Sequence, residues 1–479
     1  MMDSTILREG LIAALATPLG QSALAVIRTS GPDCIAAVAG VFSRPGALLA
    51  SAGHQMVHGW LRDPRDGREV DEVMLGVFRN PRSYTGEDMV EIYAHGSVPG
   101  IDRVLALLFS RGFRQAEGGE FTLRAFLNGK LDLTRAEAVQ EIVSARSRTA
   151  QSLALNRLGG AVYQRMDQIK QVLVRQLAAV SLQLDYPEDE VEELDYPMAE
   201  LAGLIGQLES LASTYRLGRL YQNGIRLALA GRTNAGKSSL FNALVREERA
   251  IVSGLHGTTR DYLEAPFNLK GLPVRLFDTA GLREVEEVIE AEGIRRSGQV
   301  IGSSALALYL VDASEDLGLS GSSLHPDDQG HIAGILESGI GVLVVWNKTD
   351  APGSRPVPAG GTISLRLESG ETRSVAVVGV SALTLDGLEG LLDAVAERVL
   401  DGASAEDGQV LIDSERQFRL LERSAASLRN VAASLEAGVS LDLVALDLQD
   451  AVAALGEITG EVTSEDILTS MFSNFCVGK

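Results

Sequence analysis

The chain has 479 residues, 45% of them hydrophobic and 22% charged, the composition of a globular protein too long for one compact core. Its formal net charge of −21 argues against indiscriminate binding to nucleic acid, which needs a basic footprint, though not against a local basic surface. Two cysteines and six scattered histidines exclude a disulfide framework and a zinc site built on paired spacing. No apolar run is long enough for a transmembrane helix, and the first residues lack a signal-peptide pattern, so a cytoplasmic protein without a membrane partner is expected.

The N-terminal region predicts an α/β unit. Leu11–Leu15 and Ala23–Ile27 are short apolar runs separated by Pro18 and Gly20, as for strands joined by a turn. A helix is expected after Gly31-Pro32-Asp33, further strands over Asp71–Phe78 and Met89–Tyr93, and a helix over Ile101–Phe109. Arg28, Glu91 and Lys130 stand out beside apolar segments, although taken singly each reads as a solvated or paired surface charge.

From about residue 132 to 215 the pattern turns helical. Leu158, Val162, Met166, Ile169, Leu173 and Leu177 recur at steps that form one apolar stripe. Arg146, Arg148, Arg157, Arg165, Lys170 and Arg175 make either a basic face or an ordinary solvated one. An acidic run around Pro187 breaks the helix, and a second is expected from Met198 to about Leu217.

The stretch Gly231-Arg232-Thr233-Asn234-Ala235-Gly236-Lys237-Ser238 fits the phosphate-binding loop pattern, with a strand-like run before it and a helix-like run after it. Its glycines let backbone N–H groups turn toward phosphate oxygens at a helix N-terminus. Lys237 would reach the β- and γ-phosphates and the Ser238 hydroxyl would ligate Mg²⁺. Candidate strands at Val274–Phe277, Ala305–Val311, Val342–Val345 and Val375–Val378 predict a doubly wound α/β sheet, with a Pro/Gly-rich surface loop at Ala351–Gly361. Beyond residue 400 the helical pattern returns, which suggests a helical domain with the sheet domain inserted.

Further motifs select the nucleotide. Asp278-Thr279-Ala280-Gly281 follows a strand, as a Mg²⁺-side aspartate and a γ-phosphate-sensing glycine would. Asn347-Lys348-Thr349-Asp350 also follows a strand, and its aspartate can accept both N–H donors of a guanine edge, which adenine does not offer. Ser381-Ala382-Leu383 resembles the last guanine-contacting loop, and Thr259, in Gly257–Asp261, is placed to ligate Mg²⁺. Together these select GTP over ATP. Many small GTPases orient the attacking water with a glutamine just after the D-x-x-G motif. Here Leu282 stands there, so hydrolysis needs another water-positioning group, with Glu284, Glu286, Glu287 and Glu290 as candidates, and another positive charge, an arginine or a bound cation.

Motifs along nearly the whole chain carry a family resemblance. They include Ala16-Thr17-Pro18, Arg28–Gly31, Tyr84–Glu91, Gly119-Glu120-Phe121, Arg124–Asn128, Lys130–Leu133, Gly456–Gly460 and the terminal Phe475-Cys476-Val477-Gly478-Lys479. With the nucleotide motifs, they make the chain resemble the MnmE/TrmE family of bacterial tRNA modification GTPases. The resemblance implies an N-terminal folate-binding and dimerisation domain (1–128), a discontinuous all-α domain (129–218 and 401–479) and an inserted GTPase domain (219–400). Arg28, Glu91, Lys130 and Lys479 match folate-site positions for 5,10-methylenetetrahydrofolate, or 5-formyltetrahydrofolate as its analogue.

The same resemblance implies a K⁺-activated hydrolase. Asn234 matches the cation ligand of the phosphate loop, and Ser253, Leu255 and Thr258 complete the cage. Glu290 matches the water-orienting glutamate. Ser239 and the run Ser253, Gly254, Leu255, His256, Gly257, Thr258 and Thr259 join the expected GTP contacts. Cys476, poorly matched to a prenylation signal, is an inert thiol or a nucleophile or acid/base near the folate-borne carbon.

The implied enzyme is a homodimer that joins an FAD- and NADH-using partner in a heterotetramer. It adds a carboxymethylaminomethyl or aminomethyl group at C5 of the wobble uridine of certain tRNAs, with the amine donor, ammonium or glycine, left open. A GTPase switch in signalling or ribosome assembly, without modification chemistry, is the competing reading. Folate binding by residues 1–130 separates the two.

Overall fold

The computed structural model describes residues 10–186, 196–247, 263–278, 301–302, 304–315, 324–367, 369–401, 409–473 and 475–478. In chain order these form β1 (Ile12–Leu15), β2 (Ser22–Ser30), α1 (Cys34–Ala39), α2 (Pro45–Leu49), β3 (Gln55–Arg62), β4 (Glu69–Phe78), β5 (Met89–Gly96), α3 (Val98–Phe109), β6 (Arg114–Gln115), α4 (Glu120–Leu127), α5 (Leu133–Ser144), α6 (Arg148–Leu158), α7 (Ala161–Asp185), α8 (Met198–Ser213) and α9 (Tyr215–Asn223). They continue as β7 (Ile225–Gly231), α10 (Lys237–Glu247), β8 (Leu263–Leu269), β9 (Leu272–Asp278), β10 (Leu306–Asp312), α11 (Pro326–Glu337), β11 (Gly341–Asn347), β12 (Thr362–Arg366), β13 (Thr372–Val380), α12 (Leu388–Leu400), α13 (Glu415–Glu436), α14 (Leu441–Thr459) and α15 (Glu465–Phe472). The chain divides into two compact units, Met1–Val143 with Leu155–Glu209 and Arg419–Lys479, and Ser144–Ala154 with Ser210–Phe418.

The first unit holds a six-stranded sheet in the order β3-β4-β5-β2-β1-β6, antiparallel but for the β1–β6 pair. Alternation along the strands sends Ile27, Val73, Leu75, Val77, Val90, Ile92 and Ala94 into one core with Val104, Leu107 and Leu108 of α3. The intervening positions, Arg28, Glu91 and Tyr93 among them, fall on the other face.

The helical part of this unit packs α7 on α14. The buried stripe of α7 is Val162, Met166, Ile169, Leu173, Gln176 and Val180. Gln176 thus takes a place where the sequence pattern leads to Leu177. Its amide is satisfied, accepting from the Tyr196 hydroxyl at 2.8 Å and donating to Glu200 at 2.8 Å.

The second unit holds a seven-stranded sheet in the order β12-β13-β11-β10-β7-β9-β8. The run β13-β11-β10-β7-β9 is parallel, and both edge strands are antiparallel to their neighbours. Both faces of the central strands are covered, which is why β10 and β11 read as unbroken apolar runs. The edge strands β8 and β12 are not among the strands expected from sequence. β8 carries Pro266, which an edge tolerates and a sequence pattern reads as a break. The single helix expected from Met198 is two helices, parted at Thr214, whose hydroxyl donates to the Leu211 carbonyl at 2.6 Å and accepts from the Ile412 amide at 3.0 Å.

Candidate functional site

The phosphate-loop segment leaves β7 where no side chain fits. A Cβ at Gly231 would lie 2.5 Å from the Leu310 carbonyl oxygen, and the residue sits at φ +139°. Gly236 closes the loop at φ +94°, and a Cβ there would meet the Asn347 amide nitrogen at 2.1 Å. Between them Asn234 is left-handed at φ 64°, a conformation asparagine tolerates better than most residues. Its exposed carboxamide makes no hydrogen bond among the described residues. Lys237 is buried and donates to the Gly231 and Arg232 carbonyls at 2.8 and 2.6 Å. At the head of α10 the Ser238 hydroxyl lies 3.4 Å from a carboxylate oxygen of buried Asp278, so two oxygen donors suited to a hard cation converge there.

Asn347 ties this loop to the segments expected from sequence to select the nucleotide. It is fully buried at the end of β11, donates to the Ala235 carbonyl at 2.8 Å, and accepts from the Ala382 amide at 3.1 Å. The Ser381 hydroxyl accepts from the Leu383 and Thr384 amides at 3.3 and 3.0 Å, which fixes the turn that presents Ala382. Lys348 is left-handed at φ 64° and donates to Asp312 at 2.6 Å. Burial opposes ionisation of Asp312, but the bonds from Lys348 and Ser314 outweigh it and hold the carboxyl below its ordinary range. Asp350 is exposed and makes no hydrogen bond or ion pair among the described residues.

These parts meet around one cavity of about 690 Å³, lined by Gly236, Ser239, Asn347, Lys348, Asp350 and Ala382 among others. Sequence reasoning missed part of its wall, where α10 contributes Asn242, Ala243 and Arg246 and the turn after β13 contributes Leu385, beside Leu383 of the expected Ser381-Ala382-Leu383 segment. Only helical spacing from Ser239 could have pointed to the first group. Behind the loop, Arg232 pairs with Glu315 at 2.8 Å, and Asp328 lies 4.0 Å away. Burial pushes the Asp328 carboxyl up, and it accepts from the Tyr309 hydroxyl at 2.9 Å.

The first unit gathers a second cluster. Arg28 pairs with Glu91 across β2 and β5 at 3.0 Å, and Tyr93 donates to the same carboxylate at 2.9 Å. The guanidinium lies over the rings of Tyr84 and Phe121, 5.4 and 5.7 Å from their centres. It also donates to the Gly478 carbonyl at 3.2 Å, which brings the Cys476–Gly478 tail to the sheet. The tail is fixed further by the Gly119 amide, which donates to Cys476 at 3.3 Å, and by a bridge between Gly118 and Val477. Cys476 is exposed. Lys130 is not aimed at the Arg28–Glu91 pair; its ammonium donates to the Pro81 carbonyl at 3.0 Å.

Beside this cluster runs an ionic network that sequence reasoning also missed. Fully buried Arg124 pairs with Glu87 and Glu120 at 2.9 Å each, and Glu120 also holds Arg114 at 2.6 Å. Of the arginines marked as a possible basic face, Arg157 is buried and paired with Glu141 at 3.1 Å, so it belongs to neither face.

Several expected site residues lie outside the described residues. They are Ser253, Gly254, Leu255, His256, Gly257, Thr258, Thr259, Thr279, Ala280, Gly281, Glu290 and Lys479, with Leu282 and the neighbouring glutamates. No helix among the described residues is long and apolar enough to cross a membrane.

Comparison with known proteins bears on both clusters. Residues 11–130 match the family model described as the GTP-binding protein TrmE N-terminus, and residues 133–476 match the MnmE helical domain. The chain is 41% identical over 479 residues to a tRNA modification GTPase MnmE of Borrelia recurrentis (strain A1), with 100% of both chains covered. Proteins of the same description from Borrelia turicatae (strain 91E135) and Treponema denticola are each 40% identical, over 479 and 469 residues. The first of these comparisons covers 100% of both chains and the second 98% of both.

Proposed function

The chain belongs to the MnmE family of tRNA modification GTPases, and from that premise we propose that it hydrolyses GTP to drive modification of the wobble uridine of certain tRNAs. The observation that carries the GTP part is the cavity lined both by the phosphate loop, clamped by Asn347, and by Asp350, whose carboxylate has no partner among the described residues. A carboxylate free of protein partners accepts the N1–H and N2–H donors of guanine, and the Ala382 segment borders the same edge. Ser238 and Thr259 would hold Mg²⁺, which neutralises charge on the phosphates when bound. The Ser238 hydroxyl and the Asp278 carboxylate fit a cation that prefers oxygen ligands.

Leu282 offers no water-orienting atom, so Glu290 takes that part in this reading. Asn234, with Ser253, Leu255 and Thr258, would hold K⁺ beside the phosphates, where the cation supplies positive charge. The carboxamide of Asn234, which has no hydrogen-bond partner among the described residues, suits that role.

In the other unit, Arg28, Glu91, Lys130 and Lys479 would bind a tetrahydrofolate one-carbon carrier. Arg28, whose guanidinium lies over the rings of Tyr84 and Phe121, and its partner Glu91 offer the donor and acceptor that a polar-edged heterocycle needs. Cys476, an exposed thiol two residues before the Gly478 that Arg28 holds, would act as nucleophile or acid/base. The working assembly is a homodimer with an FAD- and NADH-using partner.

The test is GTP turnover by the purified chain in K⁺ and in equimolar Na⁺, with folate binding to the full chain measured in parallel. Faster turnover in K⁺ and saturable folate binding are expected. Equal rates would remove the cation cage, and absent folate binding would favour a pure GTPase switch.

A further inference from the structure

The nucleotide motifs do not account for one wall of the cavity in the second unit. There α10 presents Ser239, Asn242, Ala243 and Arg246, which share one helical face at steps of three and four residues. Arg246 stands in the last turn of that helix, about 14 Å along the axis from Lys237 at 1.5 Å per residue. Helical side chains lean toward the N-terminus, so its guanidinium is carried back along the cavity wall without reaching the phosphate end. Lys348, Asp350 and Ala382, which line the same cavity, belong to the segments that the GTP reading assigns to the base.

Arg246 is exposed and makes no hydrogen bond or ion pair among the described residues. Asp350, unpaired as well, lines the same cavity, and the two charges do not meet. A group that engages both must therefore lie between them. Lys348 has its ammonium fixed on Asp312, which leaves its hydrocarbon stem along the cavity.

We propose that Arg246 lays its guanidinium plane on the open face of the bound guanine, opposite the stem of Lys348, and so sets how tightly the nucleotide is held. This rests on the reading of the cavity as a GTP site and adds to it the residue that closes the purine slot. A planar, weakly hydrated cation suits a purine face better than an ammonium does.

The experiment is displacement of a fluorescent GDP from the full chain carrying Arg246→Ala, Arg246→Phe or Arg246→Lys, with thermal melting to confirm equal folding. Stacking predicts that Arg246→Ala weakens GDP about tenfold, that the flat ring of Arg246→Phe keeps most of the affinity, and that Arg246→Lys falls with alanine. If lysine binds like wild type and phenylalanine like alanine, Arg246 pairs with a phosphate and the proposal is overturned. Unchanged affinity in all three variants overturns it as well. Failure of the wild-type chain to bind GDP would instead defeat the GTP reading itself, so the two failures are distinguishable.

Discussion

Asn347 holds the carbonyl of Ala235 at 2.8 Å from inside the protein, so strand β11 and the phosphate-loop segment are one mechanical piece. The same carboxamide accepts from Ala382 at 3.1 Å, so removing it orphans a buried carbonyl and loosens a second loop. Asn347→Ala is expected to cost about 1–3 kcal/mol in urea unfolding and to weaken GDP binding as well. Wild-type stability would show that the clamp is dispensable.

Asp350 offers two acceptors to a guanine edge that carries two donors. An asparagine in its place would offer one donor and one acceptor, which suits the C2 carbonyl and N1–H of xanthine. Asp350→Asn is expected to lose about 10- to 100-fold in GDP affinity, from the charge-assisted bonds removed. Xanthosine diphosphate should gain correspondingly in the same displacement assay. GDP affinity equal to wild type would place the base elsewhere.

Arg124 carries a different burden. It is 2% exposed and neutralises Glu120 and Glu87 inside the first unit. Arg124→Leu leaves those carboxylates short of a partner and should cost about 3–5 kcal/mol, read as a lowered unfolding midpoint. Arg114 still pairs with Glu120, so a loss well below that range would show that it compensates.

The two thiols should part cleanly in a labelling experiment. Burial pushes the Cys34 thiol up to about 12, and the bond to Thr29 offsets this only in part. As its pKa is raised, Cys34 remains a protonated thiol at every pH below that value and is unreactive at pH 8. Cys476 is exposed. A thiol reagent at pH 8 should therefore modify Cys476 alone in the folded chain, and both cysteines in denaturant. Rapid labelling of Cys34 in the folded chain would contradict its burial.

The cavity proposed for the nucleotide was legible because that chemistry demands a fixed order of residues along the chain. Gly231, Gly236, Lys237, Asn347 and Asp350 announce themselves by spacing, and the fold brings them to one place. Arg246 and Leu385 carry no such pattern, since their part depends only on which helix and turn border the cavity. Arg157 read as one more charge on a helix until Glu141 appeared beside it. The edge strand β8 was hidden by Pro266, and Gln176 displaced a leucine from the buried stripe because Tyr196 and Glu200 satisfy its amide. The docking of Gly478 onto Arg28 joins residues from opposite ends of the sequence, a contact no local pattern can show.

The central claim is that GTP hydrolysis by this chain is needed for tRNA wobble-uridine modification. The most direct measurement is mass-spectrometric quantification of C5-modified wobble uridine in tRNA from cells lacking the protein, complemented with the wild-type chain or with Lys237→Ala. The modified nucleoside should disappear in the deletion, return with the wild type, and stay absent with Lys237→Ala expressed at the same level. Full modification in the deletion strain, or full restoration by Lys237→Ala, would contradict it.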